Sequence, residues 1–444
     1  MKTSKSQNGN LEKYYNISKN ILFPLNRSIT GKGTLKTLFI IKKEFPKLKI
    51  KSIKSGTKIF DWRVPPEWNV NNAYVLDDQG KKIIEFKKNN LHLVGYSVPY
   101  FKILKKNKLF KRLHFIRNEP EAIPYITSYY KKYWGFCVSY NQFKKFNKTY
   151  SLNRKFKVVV DTEFKTKNGK LNYGELVLKG ESSDEILIST YICHPSMANN
   201  ELSGPTVSMA LIDYFKKKKL KKTLRFIFIP ETIGSIVYIR RNLEHLKKNV
   251  IAGYVLSCIG DERQHSCMFS KYENSPSDEA LVEAYRKLKI KNYIIHSFLN
   301  RGSDERQFNS PGVDLKISSI FRSKYGTFKE YHSSLDNFDL VTLKGLRGGF
   351  NVAKTAIELI LNNIYPKSKI HCEPKFSKYF GKVLSKNNYY SVRKKERPEK
   401  ILRNFLQYAD GTNSLKKISK FINISLKKTV LIYKLLKKKK IIRI

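Results

Sequence analysis

The spacing of apolar and polar positions changes several times along this chain. Up to about residue 45 it alternates between helical pattern and loop. A first helical stretch is followed by the loop Asn26-Arg-Ser-Ile-Thr-Gly-Lys-Gly33 and a second helical pattern from Thr34 to Phe45. From Lys49 to Tyr100 the rhythm becomes short alternating runs, KIKSIKSG, NAYVLDDQGKKIIEF and LHLVGYSV, broken by Asp-Asp-Gln-Gly and Asn-Asn turns. This predicts a small β-rich insertion, placed at 49–124. KFKVVVDTEF and KLNYGELVLKG then predict a strand pair.

Four apolar runs follow at βαβ spacing: Ile186 to Thr190, Arg225 to Ile229, Tyr254 to Cys258 and Lys316 to Ile320. Helical patterns separate them, such as Pro205 to Leu220 and Pro276 to Leu288, and the last helix spans Leu343 to Asn362. Strands alternating with helices predict an α/β fold, a mixed, mostly parallel sheet with helices on both faces, assigned to 1–48 and 125–365. Lysine-rich loops from Pro366 to Arg397 lead to helical patterns at Glu399–Tyr408, Leu415–Phe421 and Leu426–Lys437, and to a strand-like Ile441–Ile444. Three short helices closing on a strand predict a winged helix-turn-helix over 375–444.

Composition narrows the class. A length of 444 residues suggests two to four domains, and 41% hydrophobic residues with 27 Tyr and 27 Phe supply core material for an enzyme-sized fold. The 87 Lys+Arg against 36 Asp+Glu give a formal net charge of +51, a field attractive to nucleic acid or other polyanions. Lysine is nonetheless scattered through every segment, Lys216 to Lys219 included, as an AT-rich genome would produce without selecting any partner. Five cysteines, an odd number with no CxxC pair, argue against a disulfide framework and a cysteine zinc knuckle. The start MKTSKSQNGNLEKYY has no apolar signal core, and no stretch approaches the ~18 apolar residues of a membrane span, so a cytoplasmic protein is expected.

In open α/β sheets, ligands bind where strands exit into loops at their carboxyl ends. Directly after the four runs stand Cys193-His194 with Asn199-Asn-Glu-Leu-Ser-Gly204, then Pro230-Glu231-Thr232, then Gly260-Asp261-Glu262-Arg263, and finally Glu330-Tyr-His332. Imidazoles and carboxylates are what a hydrolytic zinc site needs, as ligands and as a base toward a metal-activated water. Each residue alone also has a plain reading: Glu231 as a helix cap, Asp261 as a turn residue, the histidines as loop hydrogen-bonders.

The motifs ICHPSMANNELSGP, FIPETIGS, CIGDER, RGSDERQFNSPGVDL and RSKYGTFKEYHSSLDNFDLV resemble those of bacterial aminopeptidase-like proteins with a small inserted domain and a C-terminal winged helix, distantly related to co-catalytic zinc aminopeptidases. The resemblance extends to Phe60-Asp-Trp-Arg-Val-Pro-Pro-Glu-Trp68 and Tyr133-Trp-Gly-Phe-Cys137. It implies one or two zinc ions held by His194, Glu231, Asp261 and His332, with Glu231 as ligand or general base. Asp304 and Arg306, in the loop Arg301 to Phe308, would orient substrate, Asp304 toward an α-amino group. The chain departs from the pattern at three places. Tyr191 stands where a ligand His is usual, Asn200 where the metal-bridging Asp is usual, and Thr232 where the second of two paired glutamates is usual.

The leading expectation is therefore a metal-dependent hydrolase of a peptide or amide bond, in a family associated with surface polysaccharide biosynthesis. Its substrate would be a peptide or an aminoacyl- or amide-bearing small molecule. The competing expectation is a non-catalytic ligand sensor with an eroded peptidase site. The basic helix Leu426 to Lys440 can be read as a DNA-groove element, but protein contact or homo-oligomerisation is favoured for it; no membrane partner is expected.

Overall fold

In a computed structural model of the chain, described over residues 10–380 and 398–443, two sheets and a C-terminal helical module account for most of the architecture. Helix α1 (Leu11–Ile17) continues into a wide turn, and α2 (Lys32–Glu44) leads to β1 (Lys49–Lys54). The hairpin β2 (Lys58–Ile59) and β3 (Trp62–Arg63) precedes β4 (Glu67–Leu76), β5 (Lys82–Glu85) and β6 (Tyr100–Lys105). After α3 (Lys106–Phe110) come β7 (Leu113–His114), β8 (Phe136–Cys137), α4 (Tyr140–Thr149) and β9 (Lys155–Lys165).

The second half holds β10 (Lys170–Leu178), β11 (Ser182–Tyr191), α5 (Ser203–Phe215), β12 (Lys222–Ile229) and α6 (Ile233–Asn249). It continues through β13 (Val250–Leu256), β14 (His265–Met268), α7 (Pro276–Lys287), β15 (Tyr293–His296), α8 (Glu305–Phe308), β16 (Ile317–Phe321) and α9 (Leu343–Asn362).

The main sheet has eight strands in the order β1-β10-β12-β11-β13-β16-β14-β15. Its centre, β12, β11, β13 and β16, is parallel, while β1, β10 and β14 run against their inner neighbours. The period-two geometry of a strand explains how one sequence feeds two cores. Ile186 and Ile188 of β11 and Phe226 and Phe228 of β12 pack on one face, while Leu187, Ile227 and Ile229 pack on the other. Both faces are buried, so the central strands read as apolar runs rather than alternations.

The second sheet, β5-β4-β9-β6, is antiparallel throughout and packs its own apolar cluster around Trp68, Phe136 and Phe156. Two sequence-based boundaries are corrected here. Lys49–Lys54, expected to open the insertion, is the edge strand of the main sheet, paired with β10 from Lys49↔Glu175 to Lys54↔Lys170. Lys155–Lys165, expected to pair with Lys170–Leu178, instead joins β4 and β6, so the β-rich layer runs past residue 124. Alternation reveals a strand but not its partner, which long-range packing chooses.

At the C-terminus α10 (Phe376–Phe380), α11 (Pro398–Gln407), α12 (Leu415–Phe421) and α13 (Leu426–Lys438) surround a separate apolar cluster that includes Phe405, Ile418 and Leu436. Ile442 makes an isolated bridge to Ser368, and Lys367 another to Asp410, where a terminal strand was expected; Ile444 lies outside the described residues. Among the described residues no helix is long and apolar enough to cross a membrane.

Candidate active site

The carboxyl ends of the four central parallel strands converge, and the loops leaving them carry the site. After β11 the chain keeps one more sheet contact, Ile192 N–H to Ile229 O at 2.9 Å, and then turns through Cys193 and His194. His194 is 2% exposed, with Nε2 3.6 Å from Glu231 Oε2 and its ring 5.4 Å from that of His332. The Tyr125 ring meets both imidazoles edge-on at 5.1 Å, and Tyr331 stacks flat on His332 at 3.9 Å. Burial holds both histidines neutral, pushing His332 down to about 4 and His194 well below its usual value. His332 Nε2 and His194 Nδ1 are buried nitrogens without a hydrogen-bond partner.

Glu231 owes its position to backbone strain. Thr232 has φ 61° and ψ −75°, and Ile233 N–H donates to Glu231 O at 2.7 Å. This is the rare positive-φ γ-turn, unfavourable for a β-branched residue. The segment Ser303–Arg306 holds it from the opposite side. Asp304 Oδ1 accepts Thr232 N–H and Ser235 Oγ–H, both at 2.8 Å, Arg306 Nη2 donates to Thr232 Oγ1 at 2.6 Å, and Ser303 Oγ donates to Glu231. Burial and the neighbouring Asp304 carboxylate push the Glu231 carboxyl up, and burial does the same to Asp304. Ser196, Cys258 and His332 also have positive φ, so each of the four converging segments carries one strained residue.

The cavity that His194, Glu231, Thr232, Arg306 and His332 line has a volume of about 630 Å³, with Trp62, Tyr125, Tyr129 and Tyr130 on its other walls. Two expected site residues are not among its lining. Asp261 is fully buried and spends its carboxylate on the Ser323 N–H and Oγ–H, Arg263 N–H and Asn199 Nδ2, at 2.8–3.0 Å; it clamps loops instead of facing a ligand. Asp304, placed by the sequence at a substrate amine, lies beneath the γ-turn with no exposed surface. Asn200 accepts a hydrogen bond from Tyr191 Oη, and its backbone N–H, like that of Asn199, is held by Asp336. Burial pushes the Tyr191 phenol well above its usual value, so two neutral groups satisfy each other where the resemblance implied a ligand and a bridge.

Sequence reading passed over Glu201 and Arg27. Both are completely buried and form an ion pair at 2.8 Å, and the Glu201 carboxylate also accepts the N–H groups of Cys193 and His194. Cys193, His194 and Glu201 lie close enough together that each offers a ligand atom within 4.8 Å of the others. That trio suits a cation poorly. Glu201 is already committed to a guanidinium and two amides, and burial pushes the Cys193 thiol well above its usual value. The set His194, Glu231 and His332 has the composition of many one-ion hydrolytic sites and lines one cavity, with His194 Nε2 turned to Glu231 and His332 Nε2 unpartnered, although its ligand atoms are spread wider than the 4.8 Å of the trio. A second ion finds no comparable donors at Tyr191, Asn200 or Thr232.

This fold is that of an aminopeptidase-like α/β class, and comparison with known proteins agrees. Residues 15–363 match the family described as Domain of unknown function (DUF4910), and the chain belongs to that family. A Clostridium acetobutylicum protein named "Putative polysaccharide biosynthesis protein with aminopeptidase-like domain" is 42% identical over 358 residues, 80% of each chain. A crystal structure of a "putative peptidase" from the same organism is 36% identical, with TM-score 0.77, covering 99% of this chain and 97% of that one. The zinc aminopeptidase BSAP of Bacillus subtilis shares the fold at 12% identity, with TM-score 0.58 over 79% of this chain and 94% of its own.

Proposed function

We propose that the protein is a metal-dependent hydrolase of an amide or peptide bond, using one divalent ion held by His194, Glu231 and His332. The observation that carries this reading is the convergence of a buried and a half-buried neutral imidazole and one carboxylate on a single cavity. When bound, a zinc ion there supplies Lewis-acid polarisation of the scissile carbonyl and acidification of a water. The protein's own groups do the rest. Tyr125 and Tyr331 fix the imidazole planes, and Ser303 and the Thr232 turn aim Glu231. Apolar and aromatic walls thin the water around the reacting carbonyl, which strengthens every charge interaction in the cavity.

The relative's name supports a substrate from surface polysaccharide biosynthesis, a peptide or an aminoacyl- or amide-bearing sugar. We assign the protein to the cytoplasm, in keeping with four buried free thiols. The C-terminal helices are read as a winged helix used for protein contact rather than DNA, because α13 exposes Leu431 and Leu435 between its lysines. One observation favours a non-catalytic ligand sensor instead: the neutral Tyr191–Asn200 pair.

Metal analysis separates the two readings. Dialysis against Zn²⁺ should leave one ion per chain, lost in His194→Ala and His332→Ala but kept in Asp261→Asn. Zinc-free wild type after that dialysis would overturn the hydrolase reading.

A further inference from the structure

The cavity is built against a free amino terminus. A substrate α-ammonium needs a carboxylate facing it, and the described residues lining the cavity include one acid, Glu231. Glu231 already receives Ser303 Oγ–H and belongs to the ion-binding set. The other acids nearby do not line the cavity: Asp304 is fully buried with Oδ1 on Thr232 and Ser235, Glu305 accepts from Gly302, Ser303 and Tyr325, Glu201 pairs with Arg27, and Asp336 holds the amides of Asn199 and Asn200.

The cavity does present a cation. Arg306 is exposed, uses Nη2 on Thr232 Oγ1, and makes no ion pair within 4 Å among the described residues. Its remaining donors suit a planar carboxylate. The outer wall is aromatic. Trp62 and Tyr130 are 43% and 53% exposed with ring centroids 6.3 Å apart, Trp62 on the short hairpin and Tyr130 tied by its Oη–H to Arg63 O at 2.9 Å. Exposed aromatic faces lining a cavity are a platform for a flat or apolar ring face. A net charge of +51 also disfavours an approaching ammonium and favours an anion.

We propose that the ligand is an acylated compound, its nitrogen blocked as an amide, bearing a carboxylate that pairs with Arg306 and a ring that lies on Trp62 and Tyr130. The assignment deepens the hydrolase reading but is tested by binding alone, so loss of turnover and loss of recognition are separable.

Three probes decide it: N-acetyl-L-phenylalanine, N-acetyl-L-phenylalaninamide and L-phenylalaninamide, titrated against full-length protein by calorimetry and by quenching of tryptophan fluorescence. N-acetylphenylalanine should bind about tenfold tighter than either amide. Arg306→Gln should erase the advantage of the acid over its acetylated amide while leaving affinity for that amide within about twofold. A purely structural Arg306 would weaken both acetylated probes equally, and that result, or phenylalaninamide binding as tightly as the acetylated acid, overturns the proposal. Trp62→Ala should weaken both acetylated probes together; no change would remove the ring from the assignment.

Discussion

Arg27 has no exposed side-chain surface, and neither does the Glu201 carboxylate beside it. An ion pair this deep roughly offsets its own desolvation, but removing one partner strands the other charge. Arg27→Met should therefore cost about 3–5 kcal/mol in urea unfolding. Arg27→Met with Glu201→Gln should recover much of that loss, since a glutamine oxygen can still accept the Cys193 and His194 amides. A single-variant cost under about 1 kcal/mol would mean the pair is solvated, the regime of exposed ion pairs. This pair was invisible in the sequence because its members lie 174 residues apart and nothing in the exit segment that holds Glu201 points to Arg27. His194, Glu231 and His332 were legible as neighbours because strand ends place their loops together, whereas Arg306 entered only through the resemblance. Asp261 stands at an equally promising strand exit, yet backbone, hydroxyl and amide donors take up its carboxylate, and a sequence does not display that competition.

At the scale of elements, the central parallel strands could be read from apolar runs, whereas the strand order at both margins could not. β14 illustrates why. It is a four-residue segment that runs against β16, with little pattern of its own, and its place depends on partners such as the contact of His265 Nε2 with Arg322 Nη1 at 2.9 Å. Burial, and then the Arg322 charge, push His265 down to about 4. The unfolded chain takes up that proton first, near pH 6.5, so the contribution of His265 is intact above that pH and is withdrawn as pH falls toward 4. The full linkage corresponds to roughly 3 kcal/mol, and partial exposure reduces it to about 2. Between pH 7 and pH 4.5 the wild type should lose more unfolding free energy than His265→Gln; parallel curves for the two proteins would refute this account.

For the whole molecule, 87 basic against 36 acidic side chains make self-repulsion a general burden on the folded state. Raising the salt from about 20 to about 300 mM shortens the Debye length from roughly 20 to 6 Å and should raise Tm by several degrees in calorimetry. A flat or falling Tm would show that local ion pairs outweigh the global field. Charge composition made this burden plain, but not how the insertion is joined to the body. That joint has a further consequence. Tyr125 N–H donates to His332 O and Ser334 N–H to Ile123 O, each at 2.8 Å, and Pro124 bridges Ser333. The wall bearing Tyr125 and the loop bearing His332 are thus stitched into one backbone ribbon. Roof and floor of the cavity can part only by breaking that seam, so little of a ligand's affinity is taxed by closing a door behind it.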